Sequence, residues 1–473
     1  MSDYNTVVVA NYQTAEYGKF VELKNHTTYP AVSVTRYNSP NAVGVAPVSS
    51  VEVYPKYAVL VKSVDDTTSN YTGNLNMGSD AFGRTRTSSP LTLFDSSHRY
   101  ADNNLWATLT GGSTSTSASA EFIQTQGLIE LKVDALSGSK VYRETTKVFA
   151  YQPGKSLQLL NTFTFNQAKT NLRQRVGYFG VDNGIYLELD DDTLYMVERS
   201  ITSGSLSSNR IPQSQWNVDR LDGSGPSGLV LDITKAQILW ADIEWLGLGT
   251  VRTGFVINGQ FVPCHYFHHA NLIDSTYITT GSLPLRYEIE NKAATSGPSK
   301  LKQVCSTVIS EGGYELRGLQ QAAGTAITAP KALATAGTFY PVISLRLKST
   351  KLDAIVILTA ISVMGLDTGI YNWRAIASGT TIGGTWTDAG VNSAVEYKLD
   401  GTGLSGGRVL ASGYFTSNAQ GTTSIDILKE ALFKFQLERN SFTSTPFELT
   451  LAVTASTATE LVHGSMDWEE ISR

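Results

Sequence analysis

Apolar and polar positions alternate with a period of two over short runs along most of the chain, and Gly, Asn, Asp or Pro closes nearly every run. That is the signature of half-buried strands joined by tight turns. The first stretch carries five such runs: Thr6–Ala10, Phe20–Leu23, Ala31–Arg36, Ser50–Tyr54 and Tyr57–Val61. A polar stretch, Ser63–Asp80, reads as a linker, and Thr110–Ala120 as a Ser/Thr/Gly-rich mobile loop. Beyond it the pattern predicts strands at Phe122–Asp134, Lys140–Tyr151, Leu157–Phe165 and Arg173–Val181. Asp182-Asn183-Gly184 then turns into Ile185–Leu189, and Asp190-Asp191-Asp192 turns again into Leu194–Arg199. Asn258-Gly259 joins Val251–Ile257 to Gln260–Phe267 in the type of turn that needs positive φ at both positions. Leu283–Glu290, Leu301–Ser310, Val342–Leu347, Ala354–Met364, Asn372–Ala377, Ala394–Leu399, Val409–Phe415, Leu432–Glu438 and Phe447–Thr454 continue the series. One short helix is predicted at Ser424–Leu432, with Ser424 as N-cap and Ile425, Leu428 and Leu432 on one face.

No helical run alternates with the strands, so a parallel α/β sheet is excluded as the expectation. The pattern predicts an all-β chain of antiparallel, jelly-roll-like β-sandwiches after a small N-terminal β element. The expected divisions are 1–75 as a docking element or arm, 76–325 as a central sandwich and 326–473 as a C-terminal sandwich.

Composition removes several function classes. With 37 basic and 42 acidic residues the net charge is −5, which argues against nucleic acid as a partner. The longest apolar stretch, Ala354–Leu366, is too short to span a bilayer as a helix and contains Thr359 and Ser362, so no membrane insertion is expected. The N-terminus lacks the basic and apolar regions of a secretory signal, and Cys264 and Cys305 cannot build a disulfide framework. Synthesis in a reducing cytoplasm is the expectation.

Candidate chemistry is thin. Cys264-His265-Tyr266-Phe267-His268-His269 is the best metal candidate. On a strand, however, His265 and His269 would stand ~13 Å apart, too far for one ion. Asp190-Asp191-Asp192, and Asp219 and Asp222 with the loop Gly223–Gly228, are acidic turns that could bind Ca²⁺ but lack the EF-hand spacing. Asp in turns more commonly bonds its own backbone. Gly403-Leu404-Ser405-Gly406-Gly407 has the letters of a nucleophile elbow, but a strand rather than a helix is expected after it. Glu188, Asp242, Glu244, Glu288 and Glu290 are carboxylates of the kind a glycosidase pairs across a cleft, and equally of the kind found on solvated strands. Seven tryptophans, Trp106, Trp216, Trp240, Trp245, Trp373, Trp386 and Trp468, could stack on sugars; Trp386, between Gly and Thr residues, is the one to check for exposure. No catalytic, cofactor-binding or metal residue is assigned, no cofactor is expected, and the chain is not expected to be an enzyme.

A resemblance adds to this. Asp80–Asp95 (DAFGRTRTSSPLTLFD) resembles the opening signature of β-rich virion structural proteins of tailed bacteriophages, especially of cyanophage-like and other environmental phages. Val141–Ser156, Arg175–Leu187, Trp216–Gly228, Ala241–Gly254, Leu283–Asn291 and Val342–Asp353 are similar to the same family in the same order, so the resemblance runs from about residue 80 to the end. It implies a virion component made in the host cytoplasm. That component would be a tail, neck or baseplate appendage or adaptor that contacts other virion proteins. Low surface charge and many strand edges predict that it also contacts itself, as a homo-oligomer and foremost a trimer. The alternatives are a fibre protein binding a host-surface glycan, a capsid decoration protein and, further off, a polysaccharide depolymerase. The family supplies no catalytic residues to carry over.

Overall fold

The computed structural model describes residues 89–112, 117–313, 318–417 and 436–471 in full, and the backbone alone at 472. It gives backbone strands only at 423–426 and within 4–72. The contacts divide the chain into two units, Met1–Ser88 and Ser89–Arg473.

In the first unit, Tyr4–Thr6, Lys19–Asn25, Pro30–Arg36, Ala46–Tyr54 and Ala58–Val59 form a five-stranded antiparallel meander, each strand beside the next. The expected linker is partly structured: Ser63–Val64 pairs with Tyr71–Thr72. Residues 73–80 lie outside the described residues.

The second unit is two β-sandwiches in series. In the first, one sheet runs Ser119–Ile123, Leu128–Val133, Ser299–Ser310, Leu157–Thr164, Gln237–Ile243, Val251–Ile257, Gln260–Phe267, with Leu91–Ser97 also on Ser299–Ser310. The facing sheet runs Ser207–Pro212, Thr193–Ser200, Gly184–Asp190, Leu172–Phe179, Leu285–Asn291, Lys140–Thr145, Trp106–Gly111. Alternation does the sorting: on Leu157–Thr164, Leu157, Leu159, Asn161 and Phe163 point inward and every other residue is half-exposed. Tyr287, fully buried, shares its hydroxyl with Ser306 Oγ at 2.8 Å, so the polar end of a core aromatic is satisfied. A buried Arg143 closes one end of the core. Its Nε donates to Gln303 Oε1 (2.8 Å) and its Nη1 to Thr108 Oγ1 (2.7 Å), and its guanidinium pairs with Asp102. Beside it His98 is buried and accepts the Asn103 N–H at Nδ1 (3.3 Å).

The second sandwich packs Leu319–Gly324, Glu460–Ser472, Ile355–Gly365 and Thr423–Asp426 against a seven-stranded sheet centred on Tyr340–Leu347, Glu448–Ala455 and Gly369–Ile382. Lys331–Leu333 also pairs with Glu460–Ser472. The apolar run after Ala354 is a strand buried in this sheet. Among the described residues there is no α-helix, and none long and apolar enough to cross a membrane. The expected helix at Ser424–Leu432 is corrected. Ser424 and Ile425 pair with Ser362 and Ile361 in an antiparallel ladder, because a sheet edge offers this segment more partners than a lone turn of helix could. Residues 427–432 lie outside the described residues. Phe122–Asp134 is a hairpin rather than one strand, broken at Gly127 with φ 62°.

Candidate functional site

The sheet containing Leu172–Phe179 and Gly184–Asp190 has one face in the core and one face away from it, yet these two strands are buried on both faces. Leu172, Val176 and Tyr178, with Ile185, Leu187 and Leu189, belong to the core. By alternation Arg173, Arg175, Gly177 and Phe179, with Tyr186, Glu188 and Asp190, stand on the far face. Strand register gathers partners into rows across the sheet. One row is Tyr142, Glu288, Arg175, Glu188, Tyr195. The next is Glu144, Arg286, Gly177, Tyr186, Val197, Arg210.

Within these rows charges interlock. Arg175 bridges two glutamates, from Nε to Glu188 Oε2 (2.6 Å) and from Nη1 to Glu288 Oε1 (3.0 Å). The second oxygen of Glu288 meets Arg286 Nη2 at 3.0 Å, and Arg286 Nη1 donates to Glu144 Oε2 at 2.9 Å. The second oxygen of Glu188 accepts from Arg210 Nε at 2.6 Å, and Arg210 also reaches Asp190 at 2.7 Å. The guanidiniums double as lids on aromatic rings: Arg286 lies 4.1 Å over Tyr142, Arg210 4.1 Å over Tyr195, and Arg199 5.1 Å over Tyr186. Phe179, Tyr186 and Val197 form a small apolar cluster beneath, separate from the main core. Gly177 makes the face possible, since a Cβ there would stand 2.5 Å from the Ile185 carbonyl oxygen and 2.6 Å from Tyr186 Cα.

The electrostatics follow from this packing. Burial alone would push the Glu288 carboxyl up. Arg286 and Arg175 outweigh burial and hold it well below the usual range. Burial likewise works against the charge on Arg175, and Glu288, Tyr186 and Glu188 more than restore it. Glu144 goes the other way: burial dominates over Arg286 and raises its carboxyl. Chemically the face is a plate of interlocked guanidiniums and carboxylates. Both oxygens of Glu188 and both of Glu288 are already taken by guanidiniums, which is the opposite of the free, near-neutral acid that general acid catalysis uses.

The other candidates are dispersed. Glu290 pairs with Arg173 in the same sheet. Asp242 is on the opposite sheet, bonded to Arg252 and Ser156, and Glu244 is exposed near its end. His265 and His269 do not share a strand face. A bulge at Cys264 offsets the register, the strand stops at Phe267, and His269 lies beyond it. His269 instead bridges the Gly249 carbonyl (Nδ1, 2.6 Å) and Glu198 (Nε2, 2.7 Å) and stacks on Tyr277 at 4.0 Å. His265 Nδ1 accepts the Asn217 N–H. Among the described residues no group of three or more His, Cys, Asp or Glu side chains is gathered as a metal would need.

Asp190 and Asp191 pair with Lys292; Asp219 takes the N–H groups of Leu221 and Ser227, and Asp222 that of Ser224, so both cap their own loops. Gly403–Ser405 is a strand that turns at Gly406-Gly407 straight into the strand Arg408–Ser417, with no helix after the serine. Trp106, Trp216, Trp240, Trp373 and Trp468 are buried, and Trp245 packs on Tyr151. Trp386 is half-buried with Arg346 4.1 Å and Lys398 4.6 Å from its ring, so cations occupy the surface a sugar would need. The arginine–glutamate rows were missed from sequence. Their signal was charge at alternate strand positions: Arg173 and Arg175 on one strand, Glu188 and Asp190 on the next, and Arg286, Glu288 and Glu290 on a third.

No protein-family model and no curated protein sequence matches the chain. Among solved structures, it is similar to the Bacillus licheniformis β-glucanase, at 11% identity over 48% of this chain and 99% of that one, with a TM-score of 0.31. A carbohydrate esterase from Shiga toxin-encoding bacteriophage phi24B aligns at 12% identity over 47% of this chain and 100% of that one, TM-score 0.29. The CBM2 module of the evolved Dit protein of Lactobacillus casei BL23 phage J-1 aligns at 6% identity over 49% and 100%, TM-score 0.32.

Proposed function

We propose that this chain is a non-enzymatic structural component of a tailed-bacteriophage particle, an appendage or adaptor of the tail, neck or baseplate that contacts its own copies and other virion proteins. The collinear resemblance from about residue 80 onward supports the class of particle. The observation that carries the non-enzymatic part is the saturation of Glu188 and Glu288, two of the candidate carboxylates, by Arg175, Arg210 and Arg286. A face whose charges are satisfied within itself, with guanidiniums over its aromatic rings, is densely bonded and keeps those rings covered. Those properties suit a particle component that lacks disulfides, both cysteines being free. The test is on particles and on the pure chain together. Immunogold labelling should find the chain on intact virions, and incubation with host capsular and cell-wall polysaccharides should release no new reducing ends. Absence from purified virions, or release abolished by substituting a single Asp or Glu, overturns the reading.

A further inference from the structure

The two sandwiches of the larger unit meet along a seam that holds a cleft of about 250 Å³. One wall is the turn around Asp182 together with Thr280; the other carries Asp353, Arg439 and Phe442. Both walls are pinned. Asn183 exchanges hydrogen bonds with Thr279, donating to Oγ1 at 2.7 Å and accepting the N–H at 3.1 Å. Across the seam Ser441 Oγ donates to the Thr145 carbonyl at 2.8 Å, and Phe442 packs on Tyr142 with ring centroids 5.7 Å apart.

What faces the cleft is a mixed set of groups with capacity to spare. Asp182 is exposed, and its carboxylate has no partner among the described residues. Asp353 engages Arg439 through Oδ1, at 3.1 Å from Nε and 3.0 Å from Nη2, and among the described residues no hydrogen bond engages Asp353 Oδ2 or Arg439 Nη1. Thr280 Oγ1 accepts the Ser282 N–H at 3.0 Å and keeps its own proton to donate. Carboxylates only accept hydrogen bonds and a guanidinium only donates them. A ligand that satisfies both must present donors and acceptors close together. Two carboxylates against one guanidinium disfavour an anion, and Arg439 disfavours a simple cation. Phe442 asks for a C–H surface. Adjacent hydroxyls on a pyranose ring meet all of these conditions, because each hydroxyl both donates and accepts and the ring carries a C–H face. Domain seams are among the places where ligand clefts with a few convergent polar groups occur.

We propose that this cleft binds a neutral saccharide unit, with its hydroxyls on Asp182, Asp353 and Arg439 and its C–H face against Phe442. This goes beyond the structural role, and the purified chain tests it without reference to any particle. The full-length protein is screened on an array of neutral and acidic saccharides, and the best ligand is titrated by calorimetry against wild type and Asp182→Ala. Asp182 sits on an exposed turn, so this variant should keep the wild-type unfolding midpoint. The expected result is retention of a neutral saccharide and a loss of about tenfold or more in affinity for Asp182→Ala. Phe442→Ala should weaken the same ligand. The proposal is overturned if no saccharide binds at millimolar concentration, if an acidic one is preferred, or if Asp182→Ala binds like wild type.

Discussion

Arg175 is the residue on which the far face of the first sandwich depends most. Removing it takes a direct partner from two buried carboxylates, Glu188 and Glu288, and leaves Arg210 and Arg286 as the guanidiniums in contact with them. Breaking a buried pair in this way costs more than the pair itself contributes. Arg175→Met should therefore destabilise the protein by about 3 kcal/mol in urea unfolding, and the triple change with Glu188→Leu and Glu288→Leu should recover most of the loss. A second residue-scale prediction concerns pH. Burial first, and Arg143 second, hold His98 down at about 4 against an ordinary value of 6.5. The unfolded chain thus binds a proton that the folded chain refuses. The stability His98 contributes is complete above pH 6.5 and is lost as pH falls through about 4. His269 has the opposite sign. Burial opposes its charge, but Glu198 and the Gly249 carbonyl raise it, so its contribution is complete below 6.5 and fades as pH rises through its elevated value. His98→Gln should flatten the stability profile between pH 4 and 6.5, and His269→Gln should flatten it on the alkaline side, both read by thermal unfolding across pH. The glutamates of the far face could be picked out in the sequence as alternating acids. Their guanidinium partners could not, because Arg175 and Glu288 are 113 residues apart and only strand pairing brings them together.

Strands were the legible elements, since a period of two survives on any sheet with one wet face. Leu157–Thr164 and the Asn258-Gly259 hairpin stand where alternation and turn chemistry place them, the latter with φ of 52° and 76°. Two segments were not legible. Glu460–Ser472 buries Glu469 and Glu470 beside Trp468, and buried acids disguise a central strand as a polar tail. Glu470 is tolerated there because it accepts the Trp468 indole N–H at 3.0 Å and the Ala394 N–H at 2.8 Å. The Ser424 segment has helical spacing but sits against a strand edge, and long-range pairing decides it. At this scale Gly177 is the sharpest test. Any side chain there is driven into the neighbouring strand, so Gly177→Ala should cost ~1–3 kcal/mol by overpacking and disturb the Tyr186 near-UV signal. Far-UV circular dichroism of the whole chain should show strand and almost no helix.

As a molecule, the larger unit has two cores of its own among the described residues, one running from Phe94 to Val308 and the other from Leu333 to Trp468. A chain beginning at Ser89 should therefore remain folded and unfold cooperatively. Its failure to join particles would mark the N-terminal meander as the docking element, whereas full incorporation would remove that role. Light scattering on the intact chain should report a homo-oligomer, expected as a trimer whose cyclic symmetry covers the strand edges. The placement of one strand also sets a timetable for synthesis. Glu460–Ser472 lies between Ile355–Gly365 on one side and Leu319–Gly324 and Lys331–Leu333 on the other. Until the ribosome has delivered it, well over a hundred residues of the second sandwich wait with apolar faces uncovered, while the first sandwich, whose own late strand ends at Ser310, can already have closed. Ribosome stalling or nonsense truncation between those two points should yield a half-built chain with a native first sandwich and a sticky remainder. The cell's chaperones would meet this protein in that form.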